Sequence, residues 1–404
     1  MRARRQRFAL VAALTSAAVL IGPGVGSAAL GSPVGSGAAG SRPGSVLWTS
    51  VRAGDGHAVA ADPRGGMVFV AGSTGLVAYD ASTGAKLWDN SGGSGRSVAV
   101  TPDGHVVFVI KPIHTSGGTW DFSTAAFDAA TGRQLWARRY NGRANGDDRP
   151  AALAVSPGGG AVFVTGTSQG RTSGRDYATV AYAAATGKQL WVSRYNGHGH
   201  GADIAVAIAV SPRGGAVFVT GTSSGRSSGS DFATVAYAAA TGATLWVRRY
   251  HGPKDRHDIP VAVLVSPRGG GTVVVAGGSR APTDYLAVAY SAVTGRTKWV
   301  SRFVPDGFEQ EFPDAAAISL DGRSFYLTGS AFIVPGGEEP GQGLTIAATI
   351  ATGALSWSKV ITTDAPNQQG RSVAASPDSR TVYVVVESFS ATAPQDFTTI
   401  AFRA

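Results

Sequence analysis

Seven tryptophans stand at matching places along the chain: Trp48, Trp88, Trp136, Trp191, Trp246, Trp299 and Trp357. Successive ones are 40, 48, 55, 55, 53 and 58 residues apart. A unit repeated at such a period cannot bury its apolar face alone and has to stack on its own copies. Residues 151–200 and 206–255 align without a gap and are about 70% identical by direct count. Each unit begins with a strand rich in Ala and Val, turns at VSPGGG (155–160) or VSPRGG (210–215), and continues as AVFVTGTS. A Gly/Ser/Arg loop follows, then a third strand, DYATVAY (176–182) or DFATVAY (231–237). The turn AATG leads into a fourth strand, KQLWVSRY or ATLWVRRY.

Four short strands per unit, joined by Gly/Pro turns, predict an all-β chain folded as a seven-bladed β-propeller of four-stranded antiparallel blades. A sandwich does not need seven copies of one unit, and a β-helix has much shorter rungs. The last unit supplies strands at 371–376 and 381–386 and DFTTIAF (396–402), without a fourth strand. At the other end PGSVLW (43–48) matches TGxxLW, with Gly44 placed before Trp48 as Gly84 is before Trp88. The ring is therefore expected to close with an N-terminal strand completing the last blade, which removes an open edge. Inner strands alternate small and large, as in Ala152-Leu153-Ala154-Val155 and Ala207-Ile208-Ala209-Val210. The small face of one blade is expected to accept the large face of the next, with each Trp filling the wedge between outer strands.

Before the repeats, Arg2, Arg4, Arg5 and Arg7 precede an apolar run from Phe8 to Ile21 and then small residues. That run is short for a membrane span, and the pattern reads as a secretion signal peptide over 1–29, cleaved after Ser27-Ala28-Ala29 or, second, at Ala38-Ala39. Phe8 lies one place late for twin-arginine export, which favours the general secretory route. Residues 30–44 are a Gly/Ser/Pro linker and 45–404 the propeller. The expected product is secreted, extracellular and monomeric. The chain has no cysteine, so it has no lipoprotein anchor, disulfide, Cys-based zinc site or thiol nucleophile. The formal charge of +9 falls to +5 after cleavage and is spread over the chain. No basic stripe interleaved with aromatics points to nucleic acid.

AFDAATGRQLW (126–136) and AYDASTGAKLW (78–88) match the repeat A-x-D-x-x-T-G-x-x-x-W. In this the chain resembles the PQQ-like, quinoprotein-type propellers with their tryptophan-docking motif. Other copies replace the Asp with Ala183, Ala238, Ser291 and Thr349, and SPDSRTVYVV (376–385) is similar to YVTN-type repeats. The resemblance covers essentially all of 45–404. Quinoprotein dehydrogenases of this family carry eight blades, a vicinal Cys pair over the quinone, and Glu, Asn and Asp around calcium. Here there are seven blades and no Cys, so PQQ is not expected. The resemblance implies a non-catalytic member that binds a protein or a small anionic ligand, or serves as a scaffold. The alternative is a propeller enzyme, lactonase- or lyase-like, or a degenerate quinoprotein.

Loops from strand four to the next strand one, and from strand two to strand three, emerge on one face, where propeller ligands bind. Six places before the turn Pro, blades 3 to 5 carry Ala151, Val206 and Val261, whereas blades 7, 1 and 2 carry Arg371, His57 and Arg96. Three cations at the channel mouth would hold a carboxylate or phosphate. Each is otherwise a solvated strand end with a local partner such as Asp55. A second candidate is calcium: Glu309, Glu311, Glu338 and Glu339, four of the five Glu, fall in the upper loops of blade 6, with Asp306 and Asp314 beside them. No EF-type spacing supports it. A third is a zinc or copper site from His198, His200, His251 and His257, against which Asp148, Asp203 and Asp258 repeat at one position and read as caps. Asp121, Asp176, Asp231, Asp284 and Asp396 open third strands and read as bonded to turns. GTSSGRSSGS (221–230) lacks a P-loop lysine, and no G-x-S-x-G elbow occurs.

Overall fold

The computed structural model describes residues 56–404 apart from 200, 226–228, 253–256, 269, 281–282, 305–307, 309, 334–340, 362–366, 377 and 390–395. The expected signal peptide, the linker and the closing strand with Trp48 lie outside these residues. Blade 1 comprises β1 (Gly56–Ala61), β2 (Met67–Gly72), β3 (Gly75–Asp80) and β4 (Lys86–Asn90). Blade 2 comprises β5 (Ser97–Val100), β6 (Val106–His114), β7 (Trp120–Asp128) and β8 (Gln134–Tyr140). Blade 3 comprises β9 (Asp148–Val155), β10 (Ala161–Gln169), β11 (Arg175–Ala183) and β12 (Gln189–Tyr195). Blade 4 comprises β13 (Asp203–Val210), β14 (Ala216–Ser224), β15 (Ser230–Ala238) and β16 (Thr244–Tyr250). Blade 5 comprises β17 (Asp258–Val265), β18 (Thr272–Arg280), β19 (Thr283–Ser291) and β20 (Thr297–Phe303). Blade 6 comprises β21 (Gln310–Ile318), β22 (Ser324–Phe332), β23 (Gln342–Thr349) and β24 (Leu355–Ile361). Blade 7 has β25 (Asn367–Ala375), β26 (Thr381–Phe389) and β27 (Asp396–Arg403), and no fourth strand among the described residues.

Within each blade consecutive strands pair antiparallel, so the seven-bladed propeller expected from the repeats is present. A single parallel bridge, Thr283 to Gln310, ties blade 5 to blade 6. Among the described residues there is no α-helix.

The alternation along the inner strands sets how blades stack. Ala152 and Ala154 of blade 3 share a core with Ile208 and Val210 of blade 4. On the opposite face, Leu153 packs with Phe108 and Ile110 of blade 2. Small against large thus repeats around the ring, as the pleat requires when side chains alternate with period two. Ala60, Val98, Leu153, Ile208, Leu264 and Ile318 line an apolar central channel.

Outer strands are joined by tryptophan. Trp88, Trp136, Trp191, Trp246 and Trp299 donate Nε1–H to the carbonyls of Ala129, Ala184, Ala239, Ala292 and Ile350 at 2.8–3.0 Å. Each acceptor is the residue just after the third strand of the next blade. Trp136 also meets Phe108 of its own blade and Tyr182 of the next, at 5.8 and 6.1 Å between centroids. Trp357 sits between Tyr326 and Phe402 in the same way. In the six described copies the indole lies between the outer strands of adjacent blades, and in five of them its N–H satisfies a turn carbonyl. The motif Asp is a turn cap: Asp128 accepts the amide and hydroxyl of Thr131, and Asp80 those of Ser82 and Thr83.

Candidate functional site

Antiparallel pairing places the start of every first and third strand, and the end of every second and fourth, at one end of the ring. There the inner strands depart from regular pairing. In blade 3 Ala152 pairs with Thr165 and Pro150 with Gly166, leaving Ala151 as the extra residue of a β-bulge. The same irregularity isolates His57, Val206, Val261, Asp314 and Arg371 in blades 1, 4, 5, 6 and 7. A bulge bends the strand and re-aims the unpaired side chain. Gly166, Gly221, Gly277 and Gly329 accommodate it on the second strand. A Cβ at any of them would come within 2.0–2.2 Å of a carbonyl oxygen on the bulged strand.

Arg96 holds the equivalent place in blade 2, immediately before β5, with its amide on the Ile110 carbonyl. Its side chain is exposed. His57 Nδ1 lies 3.0 Å from the carbonyl of Gly95, the residue before Arg96. The guanidinium of Arg371 pairs with Glu387 on β26. Asp314 Oδ2 accepts from Gln369 Nε2. Burial pushes the Asp314 carboxyl up to about 6, against the pull of Gln369 and Arg371 and with the Glu387 charge adding to the rise. The bulge position therefore reads Asp314, Arg371, His57 and Arg96 in blades 6, 7, 1 and 2. Asp314 was missed as a member because the register was counted back from the turn proline, and blade 6 has Leu320 there. Counting from the bulge glycine, Gly329, finds it.

The expected calcium set is not assembled by the described residues. Glu309, Glu338 and Glu339 lie outside them. Glu311 and Asp314 share β21 but face different neighbours, Glu311 toward Asp284 of blade 5 and Asp314 toward Gln369 of blade 7. Burial, with the Asp284 charge behind it, pushes the Glu311 carboxyl up to about 7. For the histidines, His251 Nδ1 is 3.3 Å from Asp231, His257 Nδ1 accepts the Ser230 amide, and His200 is not described. No group of three metal-capable side chains occurs among the described residues.

The repeated aspartates form a latch on this rim. Asp148, Asp203 and Asp258 are buried and accept the amides of Gly142, Gly197 and Gly252 in the incoming loops at 2.5–2.8 Å. They cap, as expected. Desolvation pushes each carboxyl up, while Ser168, Ser223 and Ser279 pull it down. Asp176, Asp231 and Asp284 pair with Arg194, Arg249 and Arg302 of the fourth strand, and Asp176 also accepts the hydroxyl of Ser173 in the preceding loop, so the guanidinium is added to the expected bond to a turn. Those arginines also reach the hydroxyls of Tyr140, Tyr195 and Tyr250 in the preceding blade. Asp121 pairs likewise with Arg139.

A family model described as outer membrane protein assembly factor BamB matches residues 37–180, 123–302 and 177–394. A search of curated proteins gives no match. Among solved structures, the WD40 repeats of RRP9 superpose with a TM-score of 0.54 at 9% identity, covering 83% of this chain and 88% of that one. Chaetomium thermophilum Sqt1, bound to the N-terminus of the ribosomal protein L10, gives 0.57 at 13% identity, covering 85% and 82%. A quinohemoprotein alcohol dehydrogenase from Pseudomonas putida gives 0.47 at 15% identity, covering 80% and 61%. At these identities the likeness to the RRP9 and Sqt1 propellers is one of fold.

Proposed function

The chain belongs to the PQQ-like propeller family whose model is described as outer membrane protein assembly factor BamB, and from that premise we propose that it is an exported binding propeller that performs no chemistry of its own. Its ligand is a carboxylate- or phosphate-bearing molecule, or an acidic segment of a protein, held at the bulge positions of blades 7, 1 and 2. One observation carries this reading. The bulge residue is small and apolar in three successive blades, Ala151, Val206 and Val261, and ionisable in the other four. Val261 is buried in the core between blades 5 and 6, whereas Arg96 at the same place is exposed, so the position serves packing in one part of the ring and is available for recognition in another. The use of the similar Sqt1 propeller to hold a protein segment supports the same role for this fold. Export is supported by the basic, apolar and small-residue pattern of residues 1–29.

Calorimetric titration with citrate, inorganic phosphate and an acidic peptide tests the proposal. At least one should bind, with salt-sensitive affinity, and R96Q/R371Q should weaken it while leaving the circular dichroism unchanged. If no anion bound at low salt, or the double variant bound as well as wild type, the reading would be wrong.

A further inference from the structure

Blade 6 lacks the rim latch of blades 3 to 5, yet it keeps the buried acid that the latch surrounds. The segments Asp258-Ile259-Pro260-Val261 and Glu311-Phe312-Pro313-Asp314 correspond, and the strand registers agree: Asp258 pairs with Ser279, and Glu311 with Ala331. The serine of blades 3 to 5 is thus Ala331. The fourth-strand arginine becomes Val360, which pairs with Leu344 as Arg302 pairs with Leu286. The third-strand aspartate becomes Gln342, and the tyrosine of the preceding blade becomes Phe303. Among the described residues the serine, arginine and tyrosine donors of the latch are replaced by Ala331, Val360 and Phe303, and the acid remains. Glu311 is 1% exposed, and among the described residues neither carboxyl oxygen has a hydrogen-bond partner.

A buried carboxyl without a donor costs free energy that an apolar residue would avoid. In blade 3 the corresponding Asp148 is bonded by Ser168 and the Gly142 amide and lies in the field of Arg194. Arg194 spans the neighbouring space with a planar fork, donating to Ser168 Oγ, to the carbonyls of Ser168 and Gln169 and to Asp176. The backbone register that positions such carbonyls is unchanged in blade 6.

We propose that the rim of blade 6 is a recognition site for an arginine side chain of a partner protein, whose guanidinium takes the place that Arg194, Arg249 and Arg302 hold in blades 3 to 5 and pairs with Glu311. Arginine fits better than lysine because the template is a fork that reaches main-chain carbonyls of the second strand as well as an acid, not a point charge; in blade 6 the third-strand acid is Gln342, which leaves Glu311 as the charge for the fork to meet. The depth of Glu311 means that the rim parts to admit the side chain, so association is slower than for a preformed surface. The site is independent of the arc of Arg371, His57 and Arg96, and of opposite sign.

The test is calorimetric titration of the full exported chain with a capped Gly-Arg-Gly peptide, a capped Gly-Lys-Gly peptide and N-acetylarginine amide. The arginine peptide should bind at least tenfold more tightly than the lysine peptide and than the single residue, and should slow hydrogen exchange in β21. E311Q should weaken it at least tenfold. Val360→Arg, which places the missing guanidinium in the chain itself, should block the peptide and raise the melting temperature. This second variant keeps the test decisive if E311Q folds poorly. Equal binding by E311Q, or peptide binding unaffected by Val360→Arg, would overturn the site. Equal binding of the lysine peptide would overturn the guanidinium assignment, and equal binding of the single residue would overturn the protein partner.

Discussion

The indole ring of Trp136 lies so close to Gly187 of the next blade that a Cβ on that glycine would sit 2.6 Å from it. Gly187 is held at φ 67°, where an L side chain is strained in any case. The repeat's Thr-Gly and Trp are therefore two halves of one contact: the glycine makes the turn and leaves the space, and the tryptophan of the previous blade fills it. The same geometry recurs at Gly132, Gly242, Gly295 and Gly353.

Gly187→Ala should therefore lower stability by ~2–4 kcal/mol, combining strain with overpacking, and Trp136→Ala by ~3–5 kcal/mol. Gly158→Ala is the control, since nothing lies within 4 Å of a Cβ there. Denaturant midpoints for the three variants check this, and a Gly187→Ala midpoint equal to that of Gly158→Ala would refute it.

Ring closure is testable from its receiving side. Gly84 has φ 71°, like the glycines against which tryptophans dock, and the tryptophan one repeat earlier is Trp48. Deleting residues 30–50 should cost several kcal/mol by removing the strand and its Trp. Deleting 30–42 should be nearly neutral. Equal melting temperatures for the two deletions would rule out the closing strand.

The latch of blades 3 to 5 should matter for stability more than an exposed ion pair. The Arg249 side chain is 21% exposed and Asp231 5%. Arg249→Leu leaves a buried carboxylate without its main partner and should cost ~2–3 kcal/mol. Adding Asp231→Asn should recover part of that loss, and a double-mutant cycle on urea midpoints gives the coupling.

Stability should fall as pH rises from about 4 to about 7. Glu311 and Asp314 have carboxyls raised by burial to about 7 and about 6. The folded state therefore holds protons that the unfolded state has released. Their stabilising contribution is complete below about pH 4 and is lost by about pH 7, levelling off above that. Melting temperature should drop from pH 5 to pH 7.5. E311Q should flatten the curve most between pH 6 and pH 7, where Glu311 contributes more of the slope than Asp314. A wild-type curve that rises over this range would show that the two acids ionise normally.

How much of this was legible in the chain follows from what repetition can report. A residue type repeated at one place, such as the Trp series or the small–large alternation of Ala152-Leu153-Ala154, announces a packing role that the fold then honours. The bulge was not legible, because Gly166 and Ala151 are ordinary strand residues until their pairing is seen. The latch was half legible: Asp148, Asp203 and Asp258 stood out as caps, while the pairing of Asp176 with Arg194 needed the third and fourth strands to be laid side by side. Glu311 was noticed only as one of four glutamates. Its meaning comes from the absence of partners that its neighbours possess, and an absence is visible only against a register.

The same register gives the last prediction, on the arc. Asp314 lies beside Gln369 and within the field of Arg371, whose guanidinium is already engaged by Glu387. At pH 8 the two carboxylates offset the arginine, and an arriving anion meets little net attraction from blades 6 and 7. Below about pH 6 Asp314 takes up a proton and that opposition is halved. Anion binding should therefore be firmer at pH 5 than at pH 8, by roughly 1 kcal/mol or about fivefold, a magnitude usual for one charge near a partly exposed pair. Asp314→Asn should hold the firmer affinity at both pH values, and Glu387→Gln should strengthen binding at pH 8 while keeping the pH dependence. Titration of citrate against phosphate at matched ionic strength separates protonation of the protein from that of the ligand. Identical pH profiles for wild type and Asp314→Asn would remove Asp314 from the site.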